Sequence, residues 1–221
     1  MGASITEDPD FPGYDSDEGD PFDAAYLHRR AQESPNDWRG WIRLGYLLSE
    51  RGEDDAIPAL ERALALAPGN GLAHYLLGRS RCAKGQRVRG TRELETAVRL
   101  RPDHARGWTI LAALRLDKGR VVEALEALLI VATLAPDGET YWDIARCFMM
   151  QHRFPEAIAA LEEAMRLAPN HVAANRVLSY LQSPSFEADR KRHPLLELID
   201  SAKRWRRGPS TTPWDTWDND E

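Results

Sequence analysis

The side chains that could bind a metal ion or act as nucleophiles are scattered along this sequence. Its six histidines and two cysteines, Cys82 and Cys147, form neither an HxxxH pair nor a CxxC motif, and no acidic residues complete a ligand set around them. A glycine-rich phosphate loop and a nucleophile elbow are also absent from the sequence. We therefore expect no catalytic residue, no metal and no cofactor, in a protein that is not an enzyme.

Two tryptophans near the end of the sequence are candidates for recognition of a partner. Trp214 and Trp217 precede Asp215 and Asp218 in a stretch that is too polar to bury them. Because tryptophan side chains often dominate the affinity of an interface, residues 208–221 are predicted to be an acidic, Trp-containing linear motif. Residues 1–21 are also acidic and contain no lysine or arginine, so they are predicted to be a disordered arm.

The composition is that of a globular protein. The net charge is −6 and 43% of the residues are hydrophobic, which is enough to form a core. No apolar run is long enough for a signal peptide or a membrane span, and we expect a cytoplasmic protein. Its excess of arginine over lysine and its many alanines are typical of a GC-rich, most often bacterial, genome.

An internal repeat occupies the middle of the sequence. The prolines that end its four copies are 34, 34 and 33 residues apart: Pro68, Pro102, Pro136 and Pro169. Before each proline, two apolar segments flank a polar turn, and the second segment places a small residue four positions before a leucine. Since residues i and i+4 lie on one face of a helix, each copy is predicted to be a helical hairpin. Stacked hairpins bury apolar faces that a single hairpin would expose.

These segments resemble the tetratricopeptide repeat (TPR). The best copy matches the motif at Trp41, Leu44, Gly45, Gly52, Ala56, Ala63 and Pro68. The resemblance implies an all-α fold, a right-handed solenoid of antiparallel helix pairs, with a groove lined by the first helix of each pair. The second copy departs from the motif at His74 and Gly90, and softer packing is expected at Gly90 because glycine destabilises a helix by about 1 kcal/mol relative to alanine. The fourth copy departs at Tyr141 and His152.

The repeat divides the chain into a solenoid, residues 22–183, and its flanks. Within it we predict a half-repeat helix at 22–34, repeats at about 36–68, 69–102, 103–136 and 137–169, and a capping helix at 170–182. Residues 184–207 are predicted to be a basic amphipathic helix, because Leu195, Leu198, Ile199 and Trp205 recur at helical spacing before a cluster of cations. Docking of this helix on the solenoid is favoured over contact with a membrane or nucleic acid.

Arginines and aromatic residues alternate on the face of the first helices that is opposite to their packing residues. Such a groove suits an extended segment with carboxylates and aromatic or apolar side chains, because arginine pairs with carboxylates and stacks on rings. The predicted groove residues are Arg39, Ile42, Tyr46, Tyr75, Arg79, Arg106, Trp142, Arg146, Met149, Arg176 and Tyr180.

The sequence therefore predicts a non-catalytic adaptor or scaffold that binds protein or peptide segments. Its groove would hold one partner, while the motif around Trp214 and Trp217 would bind a second. Two alternatives stay open, a chaperone of a secretion or assembly system that shields a client segment, and an adaptor whose own tail occupies its groove. We expect no small-molecule substrate and no nucleic acid or membrane contact, and the sequence does not define the oligomeric state.

Overall fold

In a computed structural model, residues 23–186 are described, and their regular elements are all α-helices. Each helix is followed by a short connection, as expected for stacked hairpins. The bounds are α1 (Ala24–Glu33), α2 (Trp38–Glu50), α3 (Ala56–Leu66), α4 (Gly71–Ala83), α5 (Arg87–Leu100), α6 (Ala105–Asp117), α7 (Val121–Leu134), α8 (Gly138–Met150), α9 (Phe154–Leu167) and α10 (Val172–Leu181).

The chain divides into two compact units, Met1–Gly107 and Trp108–Glu221, here called unit 1 and unit 2. In unit 1, α2 packs on α3 and α4 packs on α5, while α1 lies against α2. In unit 2, α8 packs on α9, and α7 and α10 flank this pair through contacts with α8 and α9 respectively. The predicted all-α repeat architecture is confirmed in each unit.

The first helix of each hairpin begins at a side chain that caps it. Asp37, Asn70, His104, Asp137 and His171 each accept a hydrogen bond from a backbone N–H in the first turn of α2, α4, α6, α8 and α10. These caps satisfy N–H groups that have no partner within the helix. These capping residues recur every 33 or 34 residues, so equivalent positions on the five helices can be counted from them.

The second helix of each hairpin begins differently, after a residue with a left-handed backbone. Gly52, Gly85 and Gly119 have φ angles of 68°, 76° and 73°, whereas the fourth turn places His152 at φ 58°. Glycine adopts this conformation without a steric penalty, and a residue with a Cβ atom does not. The departure of the fourth repeat from the motif is therefore a point of local strain.

The packing at Gly90 is tight, contrary to the expectation from the sequence. A Cβ atom at Gly90 would lie 2.7 Å from the carbonyl oxygen of Gly78 and would overlap the Sγ atom of Cys82. Glycine is thus required where α5 crosses α4, because the two backbones are in contact there.

Each unit has its own hydrophobic core. The unit 1 cluster is built from α1, α2 and α3 and includes Leu27, Leu44 and Leu48. The unit 2 cluster extends from Ala112 to Phe186. No helix among residues 23–186 combines the length and the apolar character that a membrane crossing requires. The predicted acidic arm (1–21), nearly all of the predicted basic helix (184–207) and the predicted tryptophan motif (208–221) lie outside the described residues.

Candidate functional site

The predicted groove residues occupy equivalent positions on successive first helices. Counted from the capping residue, positions 5 and 9 hold Ile42 and Tyr46 in α2, Tyr75 and Arg79 in α4, Thr109 and Ala113 in α6, Trp142 and Arg146 in α8, and Arg176 and Tyr180 in α10. In unit 2 these side chains are half-buried or exposed. We call Trp142, Arg146, Met149, Arg176 and Tyr180 the unit 2 first-helix face.

Trp142 has the largest ring of this face. Its indole ring lies 5.3 Å from the imidazole ring of His171, at an interplanar angle of 46°. Nδ1 of His171 accepts the N–H of Ala174, and Nε2 lies 3.2 Å from the Glu139 carboxylate. Because His171 is fixed by the start of α10, it holds the tryptophan ring in place while part of that ring stays accessible.

Arg146 supplies a cation one turn after Trp142. Its guanidinium donates a hydrogen bond of 2.6 Å to the Asp143 carboxylate. Burial raises the pKa of the Asp143 carboxyl above its usual range, because the loss of hydration outweighs the attraction of Arg146. A guanidinium has five N–H donors, so a second carboxylate can bind Arg146 beside Asp143.

The next residue on α8 after Arg146, Cys147, is not suited to covalent chemistry. Its side chain is buried, and burial raises the pKa of the thiol to about 12, with the Asp143 charge acting in the same direction. The thiol therefore stays protonated at neutral pH, and the thiolate is the reactive form.

Arg176 and Tyr180 extend the face onto α10, where both are exposed. The Tyr180 ring, 40% exposed, makes an edge contact with Phe186 at 5.7 Å, and Phe186 packs in turn on Phe154 at 5.1 Å. Within residues 23–186, Arg176 takes part in neither a hydrogen bond nor an ion pair. This guanidinium is thus available to an acidic ligand.

Three of the four equivalent positions of unit 1, Ile42, Tyr75 and Arg79, are buried, which corrects the groove predicted there. Ile42 is 0% and Tyr75 1% exposed, and α2 contacts α4 directly. The Tyr75 ring lies 4.4 Å from the His104 ring, and burial raises the pKa of its phenol. Ile42 and Tyr75 are core residues, because neighbouring elements of the protein cover the faces of α2 and α4 that were predicted to bind a ligand.

Arg79 is likewise committed to internal contacts. It is 8% exposed, pairs with the Glu50 carboxylate and donates to the Ser49 hydroxyl at 3.4 Å. Its guanidinium also lies about 6 Å from the rings of Tyr46 and Tyr75. Arg79 therefore stabilises unit 1 and does not offer its charge to a partner.

The remaining predicted residues of unit 1 keep part of their surface accessible to solvent. Arg39 is exposed and lies over the Trp38 ring at 4.4 Å, while Tyr46 and Arg106 are half-buried. The motif residues Trp214, Asp215, Trp217 and Asp218 lie outside the described residues. Within residues 23–186, no group of three or more His, Cys, Asp or Glu side chains could hold a metal ion.

Sequence reasoning missed the supporting residues of the face, His171, Glu139 and Asp143. A signal for the capping role of His171 was present, because Asp37, Asn70, His104 and His171 each stand two residues after the proline that ends a repeat. Histidine is suited to this position because an unprotonated ring nitrogen is a hydrogen-bond acceptor like an Asp or Asn oxygen.

Comparison with known proteins identifies the repeat. Two family models described as tetratricopeptide repeat match residues 53–114 and 138–171. The chain therefore contains tetratricopeptide repeats. The resemblance noted in the sequence is thereby confirmed, and a search of curated protein sequences gives no match.

Solved structures share this TPR fold at low sequence identity. YrrB, described as a TPR protein with an unusual peptide-binding site, is 20% identical with a TM-score of 0.67, over 81% of this chain and 92% of that chain. MamA is 19% identical with a TM-score of 0.62, over 68% and 89%. TTC0263, a TPR protein of Thermus thermophilus, is 18% identical with a TM-score of 0.51, over 72% and 88%.

Proposed function

We propose that this TPR protein is a non-catalytic adaptor that binds an extended segment of a partner protein on the unit 2 first-helix face. The observation that carries the proposal is the position of Trp142, which contacts His171 and yet keeps part of its surface accessible, one helical turn before Arg146. A large ring that keeps part of its surface accessible near a cation is typical of a binding surface.

The proposed ligand follows from the chemistry of the side chains on this face. Trp142, Met149 and Tyr180 would contact an apolar or aromatic side chain, while Arg146 and Arg176 would pair with carboxylates. Thr109 and Ala113, the equivalent residues on α6, are small and leave room for the backbone of the ligand. An extended, acidic segment with at least one aromatic residue fits these groups best.

One solved structure with this fold supports a peptide as the ligand. YrrB is described as having a peptide-binding site, and it shares the TPR fold with this chain. The adaptor role further requires a second contact, for which we propose the linear motif of Trp214, Asp215, Trp217 and Asp218. A cytoplasmic location stays a prediction from the sequence.

Selection from a random peptide library against the full-length protein tests the proposal. We expect the selected peptides to be enriched in Asp, Glu and aromatic residues. Replacing Trp142 with alanine should weaken their binding, measured by fluorescence anisotropy, by at least about 2 kcal/mol, as for a hot-spot tryptophan. Arg176→Ala should cost about 1.5–3 kcal/mol, the value of a charged hydrogen bond.

Arg166 provides the matched control for Arg176. It is exposed on α9 and pairs with Glu163, three residues earlier on the same helix. Arg166→Ala removes one cation from unit 2 without touching the first-helix face, so peptide affinity should stay within a factor of two of the wild type. Selected peptides that bind Trp142→Ala and Arg176→Ala with unchanged affinity would exclude this face as the binding site.

A further inference from the structure

The outward surface of α7 differs from that of the other second helices. Five positions after the small residue at Ala56, Gly90, Ala124 and Ala157, the repeats hold Glu61, Glu95, Leu129 and Glu162. The three glutamates are exposed, and Leu129 is 47% exposed in the same position. At the next position, α7 has Ile130 where α3, α5 and α9 have Arg62, Thr96 and Glu163.

These residues form an apolar strip along α7. Val122, 60% exposed, lies on the same side as Leu129, because residues seven apart are separated by two helical turns. The carboxylate of Glu126 is exposed between them, and Ile130 is half-buried at the edge. We call Val122, Glu126, Leu129 and Ile130 the α7 strip. Leu129 and Ile130 stand where the other second helices hold mostly charged residues, which indicates a surface that another element covers.

A second copy of the chain is a poor occupant of this strip. A two-fold contact centred on α7 would place Glu126 opposite Glu126 of the other copy, and like charges at an interface are unfavourable. The strip is also only two turns long, whereas a stable interface buries about 800 Å² per partner. The shape and charge of the strip fit a single amphipathic helix that brings cations to Glu126.

We propose that residues 194–207 of this same chain dock on the α7 strip. The segment has apolar residues at helical spacing and a cluster of cations, listed here as Leu195, Leu198, Ile199, Ala202, Lys203, Arg204, Trp205, Arg206 and Arg207. Leu198 and Trp205 are seven residues apart, which matches the spacing of Val122 and Leu129. The nearby cations complement Glu126.

The connection is long enough for this docking. Phe186 is anchored against Phe154 at the start of α9, α9 packs on α8, and α8 packs on α7. The axes of α9 and α7 are therefore at most two helix-to-helix spacings of about 8–10 Å each apart. Residues 187–193, fully extended, span about 23–25 Å. A tether of this length gives an effective concentration in the mM range, so a small contact area is sufficient.

Hydrogen exchange of the full-length protein tests the docking. In the wild type, the backbone amides of residues 195–206 should exchange at least 10-fold more slowly than in an unstructured peptide of the same sequence. Leu129→Glu should abolish most of this protection. The substitution should leave α7 folded, because glutamate occupies the equivalent position in α3, α5 and α9. Far-UV circular dichroism and exchange of the α7 amides check this.

Val88→Glu is the matched control. Val88 is an exposed valine on α5, at the position equivalent to Val122 but in unit 1. The docking predicts that Val88→Glu leaves the protection of residues 195–206 unchanged. Leu198→Glu, made in the docked segment itself, should reproduce the effect of Leu129→Glu, and the double variant should lose no further protection.

Three results would overturn the docking. One is exchange of residues 195–206 at the unstructured rate in the wild type, which would leave the strip to a separate protein. Another is protection that Leu129→Glu does not change, which would mean that the segment packs elsewhere. The last is a mass, measured by light scattering, that rises with concentration in the wild type and not in Leu129→Glu, which would assign the strip to a second copy.

Discussion

Units 1 and 2 use equivalent positions of the TPR first helices for opposite purposes. Five and nine residues after the cap of α4, Tyr75 and Arg79 are buried in unit 1, whereas Trp142 and Arg146 keep accessible surface at the same positions of α8. Both pairs consist of an aromatic residue and an arginine. Whether such a pair stabilises the fold or recognises a ligand is therefore decided by the elements that surround it, and not by its residue types.

The largest expected effect comes from truncating the two aromatic residues. Tyr75→Ala should lower the free energy of unfolding by about 3–5 kcal/mol, because it leaves a cavity where a large side chain was fully buried. Trp142→Ala should lower it by less than about 2 kcal/mol, since part of the ring is already in water. Urea denaturation followed by circular dichroism measures both values.

Equal destabilisation of Tyr75→Ala and Trp142→Ala would contradict this difference between the two units. An intact peptide affinity in Trp142→Ala, combined with a large loss of stability, would make Trp142 a core residue like Tyr75. Both variants should be characterised in the full-length chain, so that each unit is measured in its normal context.

A smaller effect is expected at the hairpin contact of unit 1. Gly90→Ala should destabilise the protein by about 1–3 kcal/mol, although alanine is the better helix former, because its Cβ atom has no room against Gly78 and Cys82. Denaturation with urea provides the test. A stabilised variant would show that the helices α4 and α5 separate at little cost.

The smallest effect concerns the turn between α8 and α9 in unit 2. His152→Gly should raise the free energy of unfolding by about 0.5–1 kcal/mol, because it removes a Cβ atom from a left-handed backbone. Thermal and urea unfolding both report this gain. His152→Ala serves as the control, since it deletes the imidazole but keeps the Cβ atom, and it should give no gain.

Much of the fold could be predicted because the relevant signals are local. Prolines such as Pro68 and Pro102 end the second helices, and Gly52, Gly85 and Gly119 mark the turns, so the period of the repeat is visible in the sequence. These residues act through their own backbone geometry. Their effect on the fold can be predicted without knowing which residues of other helices contact them.

The burial of the candidate site could be predicted only in part. A helical pattern assigns Ile42 and Trp142 to the same face of their helices, but it does not say what covers that face. Ile42 is enclosed because α2 contacts α4, and Trp142 stays accessible beside His171. Likewise, the pairing of Arg79 with Glu50 joins side chains from different hairpins, and no sequence spacing indicates it.

The contact between Gly78 and Gly90 limits the modularity of this repeat array. The other second helices, α3, α7 and α9, carry alanine at the position of Gly90, namely Ala56, Ala124 and Ala157. A recombination event that joined any of them to α4 would insert a methyl group where two backbones touch. Replacing α5 with another second helix of this array would therefore strain its contact with α4, so the two helices are best transferred together as one block.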